Sequence, residues 1–145
     1  MDLLYKSTRG DKRSVSSAEA VVRGIAPDGG LYVPSVVPLL DKPFDKLVDM
    51  DYRELAAYIM AKFFIDFPRD ILTECINNAY DSKYDDSRIV PVIEKAEAYF
   101  IELFHGPTLA FKDMALTFLP HLLKAASRIM DIDKEIVILT ATSGD

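Results

Sequence analysis

Apolar and polar positions keep different rhythms in different parts of the chain, and the change of rhythm divides it. Near the N-terminus Leu3-Leu4-Tyr5-Lys6-Ser7-Thr8 reads as a short strand, ended by the polar turn Arg9-Gly10-Asp11-Lys12-Arg13. Ser16-Ser17-Ala18-Glu19 has the spacing of a capping box, in which the Ser16 hydroxyl accepts from the Glu19 N–H and the Glu19 carboxylate reaches back, so a helix is predicted from there to Gly24. Pro27-Asp28-Gly29-Gly30 predicts a turn in which both glycines can take positive φ, and Leu31-Tyr32-Val33 an extended segment closed by Pro34. Asp51 is placed to cap a helix with Tyr52, Leu55, Ile59 and Phe63 along one side. A further helix begins at about Pro68 and carries Ile71, Leu72, Cys75, Ile76 and Ala79.

Residues 81–88, Asp-Ser-Lys-Tyr-Asp-Asp-Ser-Arg, have no apolar period and read as a connection. Residues 1–88 are therefore expected to form a small, mainly helical N-terminal domain. Beyond it, Ala98 to Phe104 is predicted as a strand broken by His105-Gly106-Pro107-Thr108. Phe111 to Met130 has helical periodicity, with Pro120 bending the helix or delaying its start. Ile136-Val137-Ile138-Leu139 is a continuous apolar run, expected of a central strand in a parallel sheet covered on both faces. Strand, loop, helix and strand make a βαβ unit, which implies a right-handed crossover and a doubly wound α/β domain. Ligands in such sheets bind beyond the carboxyl ends of the strands, where 105–108 and 140–145 lie. The sequence stops in the second of these loops, so 89–145 is expected to be the beginning of an incomplete α/β domain.

Composition narrows the classes. With 145 residues, 50% of them apolar, the chain can bury an ordinary core. Its net charge of −6, with no run of basic side chains, gives no footprint for a nucleic-acid backbone. The N-terminus lacks the basic and apolar regions of a secretory signal, and no apolar stretch approaches the ~20 residues that cross a bilayer, so a cytoplasmic location and no membrane are expected. The single Cys75 cannot form an internal disulfide, and its apolar neighbours at helical spacing favour a buried inert thiol over a nucleophile. Asp81, Asp85 and Asp86 could hold a cation, but a solvated loop is the preferred reading and no metal is expected.

Lys112 is the most informative candidate for chemistry. It falls at the first turn of a predicted helix, where the positive end of the macrodipole disfavours an ammonium, and Leu109 and Phe111 nearby can add desolvation. A neutral lysine amine attacks aldehydes. The alternative is a cation that merely solvates a helix end. Thr140-Ala141-Thr142-Ser143-Gly144-Asp145 can present hydroxyls and backbone N–H groups to an anion, or can equally be a turn with Asp145 as a helix cap. His105 could carry protons, although holding the loop by hydrogen bonds is favoured; His121 reads as packed or solvated. No Ser-His-Asp order, phosphate loop or zinc spacing is present.

The run Glu102-Leu103-Phe104-His105-Gly106-Pro107-Thr108-Leu109-Ala110-Phe111-Lys112-Asp113, followed by Leu139-Thr140-Ala141-Thr142-Ser143-Gly144-Asp145, resembles the threonine synthase pattern. Tyr5-Lys6-Ser7-Thr8-Arg9-Gly10 and Ala26-Pro27-Asp28-Gly29-Gly30-Leu31-Tyr32-Val33-Pro34 are similar to the same family. The resemblance implies a fold-type II enzyme dependent on pyridoxal 5'-phosphate (PLP), like tryptophan synthase β, behind a family-specific N-terminal domain. It implies conversion of O-phospho-L-homoserine and water to L-threonine and phosphate, the last step of threonine biosynthesis. Lys112 matches the lysine that holds PLP and shuttles protons. Phe111, Ser143, Gly144 and Asp145 match cofactor-binding positions, and Asp113 flanks the lysine without a separate role. The phosphate-holding glycine loop of the family has no counterpart in these residues, so the 145-residue chain alone is expected to be inactive. An exposed sheet edge at 136–139 would favour self-association. Two other readings remain: a fold-type II dehydratase of hydroxy amino acids, and a non-catalytic relative that binds a phosphate ligand.

Overall fold

The computed structural model describes residues 3–141. Strand β1 (Tyr5–Ser7) is the middle strand of a small antiparallel sheet, flanked by β2 (Ser14–Val15) and β3 (Tyr32–Pro34). Tyr5 stands opposite Val15 and Pro34, and Ser7 opposite Tyr32. The two-residue period sends Tyr5 and Ser7 inward and Lys6 to solvent. The Tyr5 hydroxyl donates to the Phe63 carbonyl at 2.9 Å, and burial, assisted by the Asp66 charge, pushes it up to about 12.

Helix α1 (Ser17–Arg23) starts as its capping residues dictate, with the Ser16 hydroxyl accepting from the Glu19 N–H at 3.2 Å, and ends at Gly24 with φ 67°. Only half of the expected box forms there, because the Glu19 carboxylate turns to Arg23 Nε at 2.7 Å instead. Asp66 supplies a further cap: its carboxylate accepts the Ser17 hydroxyl and, at 2.9 Å, the Ala18 N–H. Burial pushes the Asp66 carboxyl up, but the hydrogen bonds from Ser17, Ala18 and Ser16 together hold it below its usual value. After the short helix α2 (Phe44–Leu47), a complete capping box opens α3 (Tyr52–Phe63): Asp51 accepts the Glu54 N–H at 2.8 Å and Glu54 accepts the Asp51 N–H at 3.0 Å.

Helices α1, α4 (Arg69–Ala79) and α6 (Leu119–Ile129) share one core of Ala18, Leu72, Cys75, Ile76, Ala79, Leu122, Ala125 and Ala126. Ala18 and Ala126, both wholly buried, let α1 and α6 approach closely. Tyr80 closes the bottom of this core, edge-on to Tyr52 and stacked on Phe118. Among the described residues no helix is long and apolar enough to cross a membrane.

The C-terminal part departs from two expectations. The expected strand 98–104 is β5 (Ala98–Ile101) alone, and it pairs antiparallel with β4 (Val92–Lys95), Val92 opposite Ile101 and Lys95 opposite Ala98. It belongs to a hairpin turned at Ala96 and Glu97, both at positive φ, rather than to a parallel βαβ unit. Ile136 to Leu139 adopts no strand and is exposed by 39% to 92%, since a ladder needs a neighbouring strand and none lies beside it among the described residues. The predicted helix 111–130 divides into α5 (Asp113–Leu116) and α6, with Pro120 in the first turn of α6, where its missing N–H leaves no bond unmade. Of the two glycines in the 27–30 turn, Gly29 alone has positive φ, 78°; Gly30 is needed because a Cβ would run into Ser7 Oγ and sit 2.9 Å from the Arg9 nitrogen.

Candidate active site

Lys112, half-buried, is the residue before α5 and already has helical backbone angles, φ −62° and ψ −24°. Its carbonyl accepts the N–H groups of Ala115 and Leu116 at 3.0 and 2.9 Å. What fixes the approach to it is the next side chain. The carboxylate of Asp113, 4% exposed, accepts the Thr108 N–H at 2.8 Å and the Thr108 hydroxyl at 2.7 Å, drawing residues 108–113 into a closed turn. Within it Leu109 takes φ 61°, its N–H bonded to the Gly106 carbonyl at 3.1 Å. Gly106 is pressed against the carboxylate so closely that a Cβ would lie 2.5 Å from Asp113 Oδ2 and 2.6 Å from Asp113 Cβ. Thr108 and Asp113 make the lock, and Gly106 leaves room for it.

The lock is anchored below by two tyrosines. The Tyr84 hydroxyl lies 3.1 Å from both the Asp113 carbonyl and Thr117 Oγ1, and the Tyr80 hydroxyl donates to the Met114 carbonyl at 2.7 Å. Burial pushes both phenols above their ordinary value. On the outer side Leu109 and Phe111, three residues and one residue before the lysine, are 68% and 64% exposed and form an apolar rim. The amine is thus carried by a turn closed by the Asp113 carboxylate, with the Lys112 carbonyl bonded into α5, which suits a covalent attachment that has to be held in one place. A primary amine on such a turn fits an aldehyde cofactor.

The other expected site residues fall as follows. Phe111 is adjacent to Lys112 and exposed; Ser143, Gly144 and Asp145 lie outside the described residues. His105 is held between carboxylates, Nδ1 2.6 Å from Asp85 and Nε2 2.9 Å from Glu102, as the loop-holding reading of this histidine requires. The acidic stretch is shared out among different partners, Asp81 to Lys83 and Asp86 to Arg88, both at 2.7 Å, and Asp85 to the His105 ring. No cluster fit for a metal occurs among the described residues. Cys75 is buried, and burial pushes its thiol up, away from reactivity. A cleft of about 480 Å³ between the 41–42 segment, α3 and α4 is lined by Asp41, Tyr58, Lys62 and Arg69 and includes nothing from the Lys112 turn.

The two N-terminal motif stretches form one unit. Asp28 accepts the Ser7 hydroxyl at 2.6 Å, the Gly30 N–H at 3.0 Å and the Asp11 N–H at 2.9 Å, while Thr8 and Leu31 exchange bonds of 2.9 and 3.0 Å. The Ser7 bond, then that from Gly30, holds the Asp28 carboxyl below its usual range. Sequence reasoning gave Asp113, Thr108 and Tyr84 no role. The Thr and Asp five residues apart around the lysine were a usable signal; Tyr84, 29 residues from Asp113, offered none.

A family model described as threonine synthase N terminus matches residues 4–80, just over half of the chain. Threonine synthase of Eremothecium gossypii is 35% identical over an alignment taking in 100% of this chain and 31% of its own length. Among solved structures, the PLP-bound threonine synthase from Brucella melitensis superposes with a TM-score of 0.79 at 28% identity, over 90% of this chain and 28% of that one. The yeast threonine synthase gives 0.80 at 30% identity, over 90% and 27%. The chain therefore spans about a third of the length of these relatives. The mixed helix and strand architecture matches these enzymes, the family model covers the N-terminal sheet, and the alignment with the Eremothecium enzyme takes in the whole chain, the Lys112 turn included; the chain belongs to the threonine synthase family.

Proposed function

We propose that Lys112 is the PLP-bearing lysine of a threonine synthase that converts O-phospho-L-homoserine and water to L-threonine and phosphate in the cytoplasm. The observation that carries the reading is the Thr108–Asp113 lock beside Lys112, in a chain that superposes over 90% of its length on a PLP-bound member of the family. Bound there, PLP supplies an electron sink for charge developing on the substrate. The Lys112 amine takes the proton from the substrate α-carbon and can return one, a general-base role that needs the lysine fixed relative to the reacting carbon. The lock supplies that fixity, and Leu109 and Phe111 supply an apolar surface against which water is excluded. Phe111, Ser143, Gly144 and Asp145 complete the cofactor-binding set.

Residues 1–88 act as the N-terminal domain and 89–145 begin the PLP-binding domain, with α6 lying against α1 and α4. The exposed segment Ile136 to Leu139 favours self-association of the 145-residue chain, which a monomeric mass by light scattering would refute. The substrate is tested by giving the full-length protein O-phospho-L-homoserine and L-serine side by side. Phosphate and threonine from the first, with no turnover by the 145 residues alone, is the expected outcome; turnover of serine only would replace the assignment by a dehydratase.

A further inference from the structure

We propose that His105 is a positioning residue, a protonated clamp that ties the Gly106–Asp113 turn, and with it Lys112, to the 81–88 connection and to the segment leaving β5. The proposal deepens the reading of Lys112 and rests on it for its functional meaning. Its physical basis is independent. Both ring nitrogens face carboxylate oxygens, Asp85 Oδ1 at 2.6 Å and Glu102 Oε2 at 2.9 Å. An ionised carboxylate only accepts, and a neutral imidazole has one N–H to give, so both bonds together require the imidazolium. A third tie joins the backbones, the Asp85 N–H donating to the His105 carbonyl at 3.1 Å. Glu102 is the firmer partner, its side chain 20% exposed against 72% for Asp85.

The charges around the ring favour the same state. The connection contributes Asp85, Asp86, which feels the histidine's charge, and Arg88, which is paired with Asp86 and faces Glu102. The segment leaving β5 contributes Glu102. The bonds to Glu102 first and Asp85 second, with the charges of both, hold His105 above its ordinary 6.5 against the opposing effect of desolvation. The clamp is therefore fully made below about 6.5 and is lost as pH rises through the higher folded-state value. Loss of the proton turns one N–H into a lone pair facing a carboxylate. The next residue is Gly106, already in contact with Asp113, so movement at His105 reaches the lock within one residue.

The test follows the His105 ring resonances of the 145-residue chain and the hydrogen exchange of the Thr108 amide, corrected for intrinsic rate, from about pH 5 to 9. The expected result is a His105 midpoint above 6.5 and, at the same midpoint, a loss of about tenfold in Thr108 protection, the factor one charge-assisted hydrogen bond carries. Glu102→Gln, which keeps the histidine, should move both midpoints down together, and His105→Gln should abolish the step. A Thr108 amide indifferent to His105 ionisation, or a ring that titrates at or below 6.5, would overturn the clamp. Because neither readout involves cofactor, a coupled step with no PLP attachment at Lys112 upholds the clamp and removes the proposed function alone.

Discussion

Replacing Gly106 by alanine is the sharpest perturbation of the turn. The added Cβ would lie 2.5 Å from Asp113 Oδ2, 2.6 Å from its Cβ and 2.9 Å from its Cγ. Carbon atoms rest at about 3.5–4.0 Å, so something must move by about 1 Å. A rotamer change of Asp113 cannot relieve the clash, because its Cβ is fixed to the backbone of α5. The loop and the helix start must separate, which strains the packing by about 1–3 kcal/mol. Separation also opens the two Thr108 bonds to a carboxylate, each contributing about 1.5–3 kcal/mol. Even with one of the two retained, the loss is about 2.5 kcal/mol or more, a large share of the 5–15 kcal/mol typical of a folded domain. In urea, where small proteins have slopes of about 1–3 kcal/mol/M, the unfolding midpoint should fall by about 1 M or more. An alanine variant unfolding within about 0.5 kcal/mol of the parent would refute the placement of Asp113 over Gly106.

Asp66→Ala removes the acceptor for the Ser17 hydroxyl and the Ala18 N–H at the start of α1, and should cost about 1–3 kcal/mol in urea unfolding; an unchanged midpoint would contradict the cap. Asp41 is held at about 2 by Lys62 first and the Tyr58 hydroxyl second, so its contribution is complete above 3.8 and is lost as pH falls toward about 2. Lys62→Met should return the Asp41 titration, followed by NMR, toward 3.8, and no change would show the pair to be unformed.

Local chemistry was legible in the sequence, and partnership across distance was not. Ser16, Gly24 and Asp51 act on atoms within four residues of themselves, so capping rules placed α1 and α3 closely. The apolar faces of α4 and α6 followed from spacing alone, down to Cys75 as a buried thiol. Helix α2 and strands β2 and β4 are too short to carry a period of their own. The β4–β5 turn was hidden because Ala96 and Glu97, residue types that avoid positive φ, occupy it. Ile136 to Leu139 has strand composition, but composition does not provide the neighbour that makes a strand. At the site, Lys112 stood out through the residues around it, whereas the steric need for glycine at 106 depends on a side chain seven positions later. Asp85 looked like part of a solvated acidic loop, and it acquires a role only when the chain brings His105 back to it.

Lys112 as the attachment point for PLP is the central claim, and one measurement addresses it directly. The full-length protein is incubated with PLP, reduced with borohydride and digested, and the modified peptide is sequenced. The account predicts the label on Lys112, within Thr108-Leu109-Ala110-Phe111-Lys112-Asp113. A label on another lysine, or none, would contradict it.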